Sequence, residues 1–169
     1  YKLNLALHHL CIVMKNAVLI LITLFLFSSC KKEGTKLAST DYIVFGQFYG
    51  ECLGEQCIEI YRLEKDQLFE DTKDQYPSQD NFYTGGYVQL SSQKFDFVKD
   101  LPNFFPNDLL IESNRVIGMP DAGDWGGFYV EYNYNGIRQF WLIDKMKSNV
   151  PTKYHAFIDK LNEKIDALK

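Results

Sequence analysis

The chain has 169 residues, with 18 basic and 22 acidic side chains and a formal charge of −4 at pH 7. That balance supplies no basic stripe to follow a phosphate backbone, which sets nucleic-acid binding aside. The length suits one domain of ordinary size whose core needs neither a metal nor a dense disulfide frame.

Met14-Lys15-Asn16 is a short basic start, positions 17–27 are apolar apart from Thr23, and Ser28-Ser29-Cys30 follows. This is the grammar of a secretory signal. Eleven helical residues reach roughly 17 Å against about 30 Å of bilayer hydrocarbon, so a cleaved signal is expected rather than a transmembrane helix. Translation is expected to start at Met14, and residues 1–13 carry no fold information.

Phe27-Ser28-Ser29-Cys30 resembles the lipobox of bacterial lipoproteins. The resemblance implies a diacylglycerol thioether on Cys30 and an acylated amino group, and several chains anchor firmly where a single myristoyl chain is marginal. Lys31, in place of the aspartate that retains such proteins at the inner membrane, implies the outer membrane, facing either the periplasm or the exterior. Residues 1–29 are then extension and signal, 30–40 a lipid-anchored tether, and 41–169 a single domain. Removing residues 1–29 takes away Lys2 and Lys15 but no acid, which moves the formal charge to −6.

Within the domain, 41–49 is rich in aromatic and β-branched residues and apolar at both parities, as in a strand covered on both faces. A second strand is predicted over 57–63, and Gly50 and Gly54 between the two mark a hairpin. Cys52 and Cys57 lie at its tip. In an oxidising compartment this close pair reads as a disulfide. Zinc would need about four ligands, and after Cys30 the only histidine is His155; a redox pair more often shows the tighter C-x-x-C spacing.

A short strand is predicted over 67–71, then a long polar loop, with a further strand among the aromatics and glycines of 82–88. Ser91 or Ser92 caps a helix running to Leu101, where Pro102 stops it, and Pro106 starts a short helix to Ile111. Strands over 127–133 and 137–143 flank an Asn135-Gly136 pair of the kind a type I′ turn demands. From Pro151 to Leu168, Tyr154, Phe157, Ile158, Leu161, Ile165 and Leu168 recur at helical spacing, so an amphipathic helix is expected on the sheet. The fold class is therefore α+β: a mainly antiparallel sheet of about five strands, in the order β-β-β-α-β-β-α, with helices on one face.

Taken together, the lipobox at Cys30, the Gly-containing Cys52-to-Cys57 loop between strands, Gly126-Gly127 before an aromatic strand and the Pro151-led helix resemble a group of small Bacteroidetes-type lipoproteins and related domains of unknown function. That resemblance implies no reaction.

The most unusual loop is Met119-Pro-Asp-Ala-Gly-Asp-Trp-Gly-Gly127. Asp121 and Asp124 offer oxygens to a hard cation, but the EF-type spacing is absent and Asp and Gly are also ordinary turn formers. As a carboxylate pair they meet the spacing for glycosidic hydrolysis, although any acid-rich chain offers such pairs. No G-x-S-x-G elbow accompanies His155. Trp125, Tyr129, Tyr132 and Tyr134 would add an aromatic binding patch if one sheet face were open. Tyr129 and Tyr132, three apart, must face opposite ways.

The expected function is a non-enzymatic binding or accessory module for another envelope component, with an envelope protein as partner and no metal or cofactor. Its surface would combine the sheet with the loops at 50–56 and 120–127, and Asp121, Asp124, Trp125, Tyr129, Tyr132 and Tyr134 are the candidate binding residues. The alternative is a small envelope hydrolase acting on a glycan or peptide through Asp121, Asp124 or His155.

Overall fold

Asn135 and Gly136 both take positive φ, 51° and 79°, and this two-residue turn brings Tyr134 opposite Ile137. From that pair the longest hairpin runs without a bulge to Gly127 opposite Asp144. The computed structural model describes residues 37–38, 41–52 and 54–169. The lipid-site cysteine Cys30, the signal 1–29 and most of the 30–40 tether lie outside the described residues.

Among the described residues the strands are β1 (Tyr42–Phe48), β2 (Ile58–Leu63), β3 (Leu68–Asp71), β4 (Tyr87–Gln89), β5 (Val116–Ile117), β6 (Gly127–Tyr134) and β7 (Ile137–Asp144). They form one sheet in the order β4-β3-β2-β1-β6-β7-β5. All neighbours are antiparallel except β5 and β7, which run parallel. The helices are α1 (Ser92–Val98), α2 (Asn107–Leu110) and α3 (His155–Asp166).

The α+β class and the terminal helix agree with the sequence, but the sheet has seven strands rather than about five and is mixed. The five-strand order leaves out two short edge strands. β5 has two residues, too few to show any alternation, and β4 takes only the end of the aromatic stretch read as a strand. The first helix also ends sooner than Leu101: α1 stops at Val98, and Leu101 to Phe104 form a 3-10 turn. Its start is as expected, with the Ser91 hydroxyl accepting from Lys94 N–H at 3.3 Å.

Alternation along the central strands divides the core in two. Ile43, Phe45, Val130, Tyr132, Trp141 and Ile143 pack on one face with Val98, Leu101 and Leu109 and with Phe157, Ile158, Leu161 and Ile165 of α3. Tyr42, Val44, Phe48, Tyr129, Phe140 and Leu142 occupy the other face, where Phe82 and Tyr83 of the 72–86 loop cover them. Polar as it looks in sequence, that loop supplies the lid that lets β1 be apolar at both parities. Lys164 on α3 donates to the Phe97 carbonyl at 2.8 Å and pairs with Asp100 at 2.7 Å, so a cation meets the C-terminal end of α1.

Leu37, within the segment read as tether, is buried against the helix-covered face. The fold therefore takes in part of that segment. None of the described helices is long and apolar enough to cross a membrane.

Candidate functional site

Cys52 and Cys57 form the expected disulfide, with their Cα atoms 5.6 Å apart. It closes the end of the β1–β2 connection, where Tyr49 N–H also donates to the Cys57 carbonyl at 2.9 Å. The 120–127 loop meets this end of the sheet because Asp121 reaches across to it. Asp121 Oδ2 accepts from Gly50 N–H at 2.7 Å and from the Tyr76 hydroxyl at 2.9 Å, and Oδ1 accepts from Gly126 N–H at 3.1 Å. Buried Asp144 fixes the start of the same loop, accepting from Met119 N–H at 3.0 Å and from the Asn149 side chain at 2.8 Å.

Between the two loops lies a hollow of about 340 Å³ lined by Gln47, Tyr49, Glu51, Cys52, Gln56, Asp124 and Lys169. Lys145 forms part of its support, donating to Gln47 Oε1 at 2.9 Å and to the Tyr49 hydroxyl. Its ammonium also sits 4.6 Å from the centre of the Tyr49 ring and 5.1 Å from that of Phe128. Trp125, beside Asp124 in the chain, is 61% exposed, and Met119 of the same loop is equally open.

The candidate residues thus separate. Asp121 is a structural latch, Asp124 lines the hollow, and Trp125 stands on the rim. Tyr129 and Tyr132 do face opposite ways, but both are buried because both sheet faces are covered; neither contributes an exposed patch. Tyr134 is exposed, yet it lies at the other end of β6 from Trp125, roughly 24 Å away for a strand of that length. There it borders a second hollow with Pro102, Phe105, Asn107, Leu110 and Tyr132. No group of three or more metal-ligating side chains occurs among the described residues. The ring of His155 is engaged through Nε2 with the Val150 carbonyl at 2.9 Å.

Sequence reasoning passed over Gln47 and Lys145. The available signal was a glutamine inside an otherwise apolar strand. It also passed over Glu131, a fully buried carboxylate on the loop-covered face. Glu131 accepts from Tyr42 OH at 3.0 Å and Tyr129 OH at 2.7 Å, and pairs with Arg138 Nε at 2.8 Å and Nη2 at 2.7 Å. Burial first, and then the Glu131 charge, push the Tyr42 and Tyr129 phenols above their ordinary range. Burial works to lower the Arg138 pKa, but the hydrogen bond and charge of Glu131 outweigh it and raise it. With its carboxylate fully committed, this cluster is a brace rather than a site.

No protein-family model, curated protein or solved structure matches this chain.

Proposed function

We propose that this chain is a lipid-anchored envelope protein that binds another envelope component, an envelope protein in the first instance, without performing a reaction. The observation that supports it best is the exposed Trp125 on a loop whose position is set by Asp121 through three hydrogen bonds. An aromatic anchor held in place before contact gives up little conformational entropy on binding. The disulfide suits delivery to an oxidising compartment, as the lipobox resemblance implies.

Hydrolysis through Asp121, Asp124 or His155 has less support. Asp121 spends its oxygens on backbone amides and a phenol, and His155 is tied to Val150.

The direct test is chemical cross-linking in intact cells, followed by affinity purification and mass spectrometry, with Cys30→Ser as the unanchored comparison. One stoichiometric envelope protein, lost in the Cys30 variant, is the expected result. Recovery of nothing beyond a control lipoprotein would count against a partner.

A further inference from the structure

The buried carboxylate of Asp41 clips the end of the tether segment to the β6–β7 turn. Its Oδ2 accepts from Ala38 N–H at 3.3 Å and its Oδ1 from Asn135 N–H at 2.9 Å, while the Asp41 amide returns to the Ala38 carbonyl at 3.2 Å. Leu37, one residue earlier, is buried against the helix-covered face. The chain coming from Cys30 therefore joins the domain at the Asn135-Gly136 end of the sheet.

The same end carries the two most exposed large apolar side chains among the described residues, Ile111 at 83% and Ile137 at 69%. Ile137 pairs with Tyr134 at the end of the hairpin, and Tyr134 is exposed as well. Ile111 follows Leu110, whose carbonyl accepts from the Gln139 side chain at 3.3 Å; Gln139 is two residues along β7 from Ile137 and so on the same face. Leu110 and Tyr134 share a hollow of about 190 Å³ with Phe105. Apolar surface gathered in this way marks a contact.

Chain length selects what makes that contact. Cys30 to Leu37 is a step of seven residues, which spans at most roughly 25 Å when fully extended. The opposite end, with Met119 and Trp125, lies roughly 24 Å away along β6. A lipid on Cys30 could reach a bilayer under that end only with the segment drawn out along the whole strand, whereas a bilayer under the hairpin end lies at its root. Lys31, Lys32 and Lys36 outnumber Glu33 in the segment, and anionic headgroups attract such a stretch.

We infer that Ile111, Tyr134 and Ile137 form a membrane-docking face that seats the hairpin end of the domain in the headgroup layer of a lipid bilayer. The two isoleucines enter the acyl boundary and the Tyr134 hydroxyl stays among the headgroups. The inference rests on the lipid anchor at Cys30 and adds an orientation to it, holding Trp125 away from the bilayer, where a partner can meet it.

The test uses the lipid-anchored chain in vesicles of phosphatidylethanolamine and phosphatidylglycerol, a fraction of whose acyl chains carry a nitroxide quencher. An environment-sensitive fluorophore is attached at Asn107→Cys, beside the hollow, or at Ala122→Cys in the far loop, both exposed positions. Mass spectrometry of the Cys30 peptide first establishes the lipid. Docking predicts strong quenching and blue-shifted emission from position 107 and neither from position 122. Both signals should be lost from position 107 when Ile111→Ser and Ile137→Ser are combined. Equal quenching at the two positions, or quenching at 107 that is unchanged in the folded double variant, overturns the proposal. Energy transfer between labelled chains without quenching would assign the face to a second copy and overturn it as well. An unlipidated Cys30 removes the anchor and the docking face together, whereas lipid on Cys30 without quenching at 107 rejects the face alone.

Discussion

Asp121 accepts a hydrogen bond from the Gly50 amide at 2.7 Å, joining two loops 71 positions apart in the chain. The same oxygen takes the Tyr76 hydroxyl, so one carboxylate ties the β1 end, the 72–86 loop and the 120–127 loop together. Asp121 itself has φ 63°, a conformation that asparagine also tolerates. Asp121→Asn therefore tests the hydrogen bonds without adding backbone strain. It should lower stability by about 1–2 kcal/mol in a denaturant titration and speed amide exchange at Gly50 and Gly126, while the amides of α3 keep their protection.

The Glu131 brace predicts a larger loss. Arg138→Ala would leave a wholly buried carboxylate with only two phenols; because the Arg138 side chain is itself 42% exposed, the cost falls below that of breaking a fully buried pair, at about 2–3 kcal/mol. A thermal or denaturant melt checks it. A loss under ~1 kcal/mol would mean that solvent reaches Glu131 through the 72–86 loop.

Alkaline pH should unfold the protein only above about pH 10. Burial first, then the Asp121 hydrogen bond and charge, push Tyr76 up to about 12, and burial raises Tyr61, Tyr83, Tyr87 and Tyr129 as well. A phenol whose folded pKa exceeds its unfolded value near 10 contributes stability that is complete below 10 and is lost as pH rises through the folded pKa. Stability should hold flat up to about pH 10 and then fall steeply towards 12. The part of the tyrosine absorbance change that belongs to the buried phenols Tyr61, Tyr83 and Tyr129 should appear together with the loss of far-ultraviolet circular dichroism. Ionisation of all the phenols before any loss of structure would contradict the burial.

Gly46 sits mid-strand in β1 opposite Ile60, and a Cβ there would run into the Glu59 carbonyl oxygen and come within 2.6 Å of Ile60 Cα. Backbone cannot move aside as a side chain can. Gly46→Ala is expected to cost at least about 3 kcal/mol or to abolish folding. Wild-type-like melting of that variant would show that β1 and β2 can separate at this point.

The disulfide closes a short loop and so constrains little unfolded-chain entropy. Reduction, or Cys52→Ser, should cost only about 2 kcal/mol. Free thiols at Cys52 and Cys57 in protein taken from cells would remove the pair as a structural element.

The parts of this fold that were legible in sequence are those written locally. Asn135-Gly136 carries its turn in its own φ preferences, Ser91 announces α1, and the spacing of Phe157, Leu161 and Ile165 announces α3. What was hidden depends on distant partners. Val116 and Ile117 become a strand only because β7 is there to pair with them. Tyr129 looked available for binding because nothing local shows that Phe82 and Tyr83 return to cover its face. Asp121 and Asp124 look equivalent in the sequence, and only the fold separates the latch from the residue that lines the hollow.

Site-directed photo-cross-linking in living cells tests partner binding most directly, with a benzophenone amino acid placed at the exposed Met119 of the latched loop, which leaves Trp125 intact, and, for comparison, at Tyr134 on the other end of β6. Binding through the latched loop predicts one discrete adduct with an envelope protein from position 119 and none of that species from position 134. No adduct from position 119 above the unirradiated control, or the same adducts from both positions, would contradict it.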